Sequence, residues 1–106
     1  MIKCTITEHG STTWTLNGKK HRKNGPAVIN SNGYLAWYIN GKYHRDDGPA
    51  VEWSNGTKKW FSHGKKHRED GPAVEYINGS KEWWLHNKIY TEEEFIMIQF
   101  TNNKTI

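Results

Sequence analysis

Cysteine is almost absent from this chain of 106 residues, and so are proline and long apolar runs. The lone thiol, Cys4, excludes an intrachain disulfide. No apolar stretch approaches the roughly 20 residues of a membrane-spanning helix. Polar residues interrupt Met1–Gly10 where a signal peptide needs an apolar centre. A soluble, cytoplasmic protein is the expectation. Hydrophobic residues make up only 34% of the chain and the mean hydropathy is -0.95, so a thick apolar core is excluded. Catalytic signatures are missing as well. There is no Gly-x-Ser-x-Gly, no phosphate loop and no Cys/His metal motif. Cys4 has no evident base beside it and is expected as a small buried hydrophobe.

Aromatics are what the chain has instead. Six Trp, five Tyr and three Phe supply the apolar area that aliphatics do not. Each can bury about 150–250 Å². A thin sheet faced with rings fits this composition better than a globule.

The aromatics are periodic. Trp14, Trp37, Trp60 and Trp83 recur every 23 residues, as do His21, His44 and His67, and Arg22, Arg45 and Arg68. Gly-Pro-Ala-Val recurs at residues 25–28, 48–51 and 71–74. The period divides a single domain into an N-terminal strand or cap (1–9), three full repeats (10–32, 33–55, 56–78), a partial repeat (79–90) and a C-terminal cap (91–100). Each repeat carries two tight-turn signals. One series is Asn17-Gly18, Asn40-Gly41 and His63-Gly64; the other is Asn32-Gly33, Asn55-Gly56 and Asn78-Gly79. Runs such as Ala36-Trp37-Tyr38-Ile39 between them read as strands.

If both turn series are two-residue hairpins, the register follows. Ile39 then faces Lys42, and Ser54 faces Thr57. Each Trp sits between a Val of the preceding strand and a residue of the next, as in Val28–Trp37–His44, Val51–Trp60–His67 and Val74–Trp83–Tyr90. Alternation places Leu16, Ile39 and Leu85 with the Trp side chains, on the expected core face. The second face carries Tyr38, Phe61 and Trp84 opposite Tyr43, Lys66 and Ile89. Thr91 to Glu94 is a capping-box signature, and Glu92 to about Phe100 reads as a short helix, in preference to a final strand, that covers the sheet's open end. The polar tail 101–106 is expected to fray.

The pattern Trp-x-x-Asn-Gly-Lys-x-His-Arg-x-Asp-Gly-Pro-Ala stands whole at Trp37–Ala50. It resembles MORN-type repeats, and more closely a divergent group of them in bacteriophage and giant-virus proteins. The ending Tyr90-Thr91-Glu92-Glu93-Glu94-Phe95 is similar to the terminal cap of that group. The resemblance covers residues 10–95. It implies a mainly β fold, a single-layer or rolled antiparallel sheet of tandem hairpin repeats with a short capping helix. It also implies a scaffold that binds proteins or lipids, with no catalytic residues to carry over.

Candidate sites follow from chemistry. A column of His21, His44 and His67 invites a metal, but these spacings only inherit the repeat, whereas metal sites cluster their ligands. Packing against Trp with local hydrogen bonds is the stronger reading, and no metal or cofactor is expected. The acids after Arg45 and Arg68 are expected to bond turn amides at the Gly-Pro corners. Charge is uneven: repeat one holds Lys19, Lys20, Arg22 and Lys23 and no acid, whereas Glu92, Glu93 and Glu94 crowd the C-terminal cap. Those four cations are the best anion-binding candidate. Aromatics and Arg are enriched at binding hot spots. The expected function is therefore a non-enzymatic protein-interaction module, a viral accessory protein that binds and inhibits or redirects a host protein in the host cytoplasm. Tyr38, Tyr43, Phe61 and Trp84 are its expected contact residues, steered by Arg22 and Lys23. The alternative is binding of nucleic acid or a nucleotide-like anion, with bases stacked on the rings. Self-association through a free sheet edge or through the second aromatic face is a further expectation.

Overall fold

The computed structural model describes residues 1–103. It is mainly β, with the elements β1 (Ile2–Ile6), β2 (Thr12–Leu16), β3 (Lys19–Lys20), β4 (Val28–Ile29), β5 (Leu35–Ala36), β6 (Tyr38–Ile39), β7 (Lys42–Tyr43), β8 (Val51–Glu52), β9 (Lys58–Lys59), β10 (Phe61–Ser62), β11 (Lys65–Lys66), β12 (Val74–Glu75), β13 (Lys81–Leu85), β14 (Lys88–Tyr90) and one helix, α1 (Glu92–Asn103). All pairings are antiparallel; the main sheet runs β1-β2-β4-β5-β8-β9-β12-β13-β14 with β3 on β2, and β6–β7 and β10–β11 are hairpins set off from it. The molecule measures 50 × 32 × 18 Å, a thin rolled sheet. No helix among the described residues is long and apolar enough to cross a membrane.

The two turn series look alike in sequence and differ in structure. In the first, both central residues are left-handed: φ is 50° at Asn40 and 82° at Gly41, and 50° and 84° at His63 and Gly64. These are the two-residue turns expected, and Ile39 faces Lys42. In the second, only the glycine is left-handed, at 99° for Gly56. Trp53 N–H donates to Thr57 O at 2.9 Å, and Gly56 N–H donates to Trp53 O at 2.9 Å. The loop therefore spans three residues, a type I turn closed by a bulge glycine. The Asn55 side chain accepts the Thr57 N–H at 2.9 Å instead of adopting positive φ. Asn32 and Asn78 do the same for Tyr34 and Ser80.

The extra loop residue shifts the register by one and corrects the expected Val–Trp pairs. Val28 faces Ala36, Val51 faces Lys59 and Val74 faces Glu82. Ser54 does not face Thr57. The Trp–His half of the expectation holds, since His44 N–H donates to Trp37 O at 3.0 Å and Trp83 pairs with Tyr90.

Each return strand is broken once. Between β7 and β8, residues 45–49 leave the ladder, and the next repeat bridges the gap. Arg45 N–H bonds Phe61 O above the break and Ala50 N–H bonds Lys59 O below it. The same break follows Arg22 and Arg68. Proline sits in the break, where its missing N–H costs nothing.

The core lies beside this break. Ala27, Ala36, Ala50, Val51, Ala73 and Val74 are at most 1% exposed, and Phe95 of α1 joins them at 6%. Trp14, Trp37, Trp60 and Trp83, with Leu16, Ile39 and Leu85, are only half-buried, which corrects the expected core face. A thin sheet can fully enclose small side chains near its backbone, but not an indole.

α1 caps the last repeat as expected. Thr91 Oγ1 accepts the Glu94 N–H at 3.1 Å, and Glu94 Oε1 accepts the Thr91 N–H at 2.8 Å, a reciprocal capping box. Gln99 donates its side-chain amide to Glu69 O, tying the helix to repeat three. The helix runs to Asn103, so the start of the expected frayed tail is helical; residues 104–106 lie outside the described residues. At the other end β1 is exposed throughout, and so is Cys4, which overturns its expected burial.

Candidate interaction surface

The sheet presents rings and cations on both sides, arranged by different rules. On the tryptophan side every arginine is fixed. The Arg22, Arg45 and Arg68 guanidinium groups stack on Trp14, Trp37 and Trp60 at 3.7, 3.8 and 3.9 Å. Each also donates Nη1 to a proline carbonyl, Pro26, Pro49 or Pro72, at 3.0–3.1 Å. Gly25, Gly48 and Gly71 make room for them: a Cβ at Gly48 would lie 2.8 Å from Arg45 Cζ. This explains the spacing of Trp, Arg and Gly-Pro as one unit.

Of the acids expected to bond turn amides, Asp47 and Asp70 hold the arginine and Asp46 and Glu69 hold a histidine, while Asp70 also has a backbone hydrogen bond. Asp47 and Glu52 accept from Arg45 Nε and Nη1 at 3.1 and 3.0 Å. Asp70 and Glu75 do the same for Arg68 at 2.8 and 3.0 Å. Chiefly through that hydrogen bond, Arg68 holds the Asp70 carboxyl below its usual range.

The histidines bond across repeats, and His44 and His67 bond locally as well. His21, His44 and His67 each accept a turn N–H from the next repeat on Nδ1, from Asn40, His63 and His86, at 2.9–3.0 Å. That fixes the tautomer with the proton on Nε2, which His44 and His67 share with Asp46 and Glu69. Among the described residues no three His, Cys, Asp or Glu side chains are placed to hold a metal ion.

The opposite side carries the expected contact residues. Tyr38 pairs with Tyr43, Phe61 with Lys66 and Trp84 with Ile89. The Tyr38 and Tyr43 rings lie 4.7 Å apart, and Tyr43 and Phe61 4.9 Å. Lys66 reaches over Trp84 at 4.4 Å and Lys20 over Tyr38 at 5.3 Å, so the ladder runs across repeat boundaries.

Three residues not singled out in the sequence join it. Tyr34 packs edge-on to Trp53 at 5.7 Å, and Lys59 lies over Trp53 at 5.1 Å. The corrected register puts Tyr34 across from Trp53 and would have revealed the pair. The Tyr43 hydroxyl meets those of Tyr34, at 3.4 Å, and Tyr38. Burial pulls the Tyr43 phenol upward. Bonds from the Tyr34 and Tyr38 hydroxyls and the charges of Lys20 and Lys59 outweigh it, so Tyr43 ionises below the usual value. Burial first, and then Tyr43, pushes Tyr34 and Tyr38 the other way.

The four basic candidates are not brought together. Lys20 stands on the tyrosine side and Arg22 on Trp14. Lys19 lies against the Gly41 turn, and exposed Lys23 lines a groove of about 570 Å³ with Arg22, Trp37 and His44.

The chain matches no family model, no curated protein and no solved structure.

Proposed function

We propose that this protein is a non-enzymatic interaction module that docks a protein partner on its tyrosine side. The supporting observation is the contrast between core and ladder. Apart from Phe95 of α1, the buried apolar core is built of Ala and Val, yet five rings (Tyr34, Tyr38, Tyr43, Trp53 and Phe61) gather where they remain partly accessible. Tyr, Trp and Phe are enriched at interface cores, and Tyr and Trp at their hot spots, whereas the neighbouring Lys20 and Lys59 are not hot-spot residues. The resemblance to phage and giant-virus repeats supports a host protein as the partner, met in the host cytoplasm and inhibited or redirected by binding. The test is a quantitative pull-down from host lysate with wild type and a Tyr38→Ala/Phe61→Ala variant. One protein recovered by wild type and lost with the folded variant is expected. Equal recovery by both would remove the tyrosine side from the reading.

A second reading is a nucleotide-like anion, favoured by Lys20 and Lys59 flanking the tyrosine hydroxyls. It predicts single-stranded oligonucleotide affinity that falls steeply with salt. No binding at low salt eliminates it.

A further inference from the structure

We propose that repeat one carries a separate receptor for a partner's carboxylate groups, built on Arg22 and His21 and independent of the tyrosine side. The molecule itself shows what this constellation binds. In repeats two and three, three carboxylates occupy equivalent places. One accepts from His Nε2 (Asp46, Glu69), one from Arg Nε (Asp47, Asp70) and one from Arg Nη1 (Glu52, Glu75), all within 2.8–3.2 Å. Repeat one keeps the recipients and lacks all three occupants. One period earlier stand Lys23, Asn24 and Ile29.

The recipients are held in the same geometry. Arg22 stacks on Trp14 at 3.7 Å, bonds Pro26 O at 3.1 Å, and fills the space a Cβ on Gly25 would need. His21 accepts the Asn40 N–H on Nδ1 at 3.0 Å, which leaves Nε2 as the donor. Among the described residues no carboxylate pairs with either side chain. A guanidinium fixed in place, with its carboxylate positions open, is preorganised for an incoming acid. Lys23 replaces the acid that would otherwise repel such a ligand. Side-chain carboxylates are what the equivalent positions hold, so the ligand assigned is an acidic peptide segment and not a nucleic acid.

The experiment uses the full chain and a fluorescein-labelled oligoglutamate peptide, read by anisotropy. Wild type binds one peptide. Asn24→Asp/Ile29→Glu, which restores the acids of the other repeats, weakens binding by about tenfold or more while circular dichroism shows the same fold. Asn24→Asp alone is the milder variant should the pair fold poorly, and it weakens binding in the same direction. Asp47→Asn/Glu52→Ile opens the second repeat and raises the stoichiometry toward two. Tyr43→Ala leaves peptide binding unchanged, which separates this site from the tyrosine side. Equal binding by wild type and the acid-filled variants, or no binding by wild type, overturns the proposal. So does loss of peptide binding in folded Tyr43→Ala. An oligonucleotide of matched charge that binds where oligoglutamate does not overturns the carboxylate assignment.

Discussion

The two sides of the sheet use the same materials, aromatic rings and long cations, and finish them differently. On one side the cation is an arginine whose planar group stacks flat on an indole and spends its donors on a carbonyl and two carboxylates. On the other it is a lysine standing 4.4–5.3 Å from a ring centre. A guanidinium presents a rigid fork of donors that can be satisfied completely, whereas an ammonium on a flexible stem keeps its donors free to move. The arginine side is a fastening and the lysine side is a surface. Identical contact types thus carry different meaning once the remaining donors are counted.

Removing one fastening should break this contrast most sharply. Arg68→Ala uncovers Trp60 and leaves Glu75 and Asp70 without their partner, and is expected to cost about 2–3 kcal/mol in urea denaturation. Arg22→Ala, with no carboxylate to strand, should cost less by about 1 kcal/mol. Equal losses would mean the acids contribute nothing. Lysine should not rescue either position, because it cannot stack and donate in the same plane.

Next in size is Gly48→Ala. Its Cβ would sit 2.8 Å from Arg45 Cζ and push the guanidinium off Trp37, for about 1–2 kcal/mol. Ala at Gly56 meets no atom but must hold φ near 99°, so its cost is backbone strain alone. Combining each with Arg45→Ala tells the two apart: the Gly48 penalty should shrink and the Gly56 penalty should not.

The turns offer a crossed pair of about 0.5–1 kcal/mol each. Asn40→Gly should be neutral or stabilising, since residue 40 needs only positive φ. Asn55→Gly should destabilise, because it deletes the side-chain acceptor for Thr57 N–H. Thermal melts of the two variants decide this.

The smallest effect concerns the tyrosine side and alkali. Tyr34 and Tyr38 ionise above the usual tyrosine value of about 10 when folded. Their contribution is fully present below that value and declines as pH rises past it, because the unfolded chain loses those protons first. Tyr43 moves the other way and adds stability once it ionises. Tyr34→Phe should therefore flatten the alkaline loss of the urea midpoint. Ultraviolet titration should show an early phenolate that Tyr43→Phe removes.

Much of the fold was legible because its signals are local. The period, the left-handed turns at Asn40-Gly41 and His63-Gly64, the capping box at Thr91 and the pairing of Tyr38 with Tyr43 each depend on a few adjacent residues. The second turn series was misread because Asn-Gly serves two turn types. Nothing adjacent to Asn55 says whether its backbone or its side chain does the work. That one-residue error hid the Tyr34–Trp53 pair and set valines against tryptophans. The basic run 19–23 looked like one site because its residues are neighbours in sequence. Alternation alone would keep Lys20 and Arg22 on one face; β3 ends at Lys20, and the break that follows carries Arg22 to Trp14 while Lys20 stays over Tyr38.

By itself, then, the sequence determined that a repeated hairpin meander forms and where it is capped. Only the tertiary structure decided which cations are consumed and which are left open. Turn and cap geometry is written in neighbouring residues. A donor's satisfaction depends on carbonyls and carboxylates brought to it by the break in the strand and by the next repeat. Repeat one shows this most plainly: Asn24 and Ile29 carry no signal in the sequence and Lys23 reads only as part of a basic run, and all three gain meaning beside the acids that fill the same places in repeats two and three.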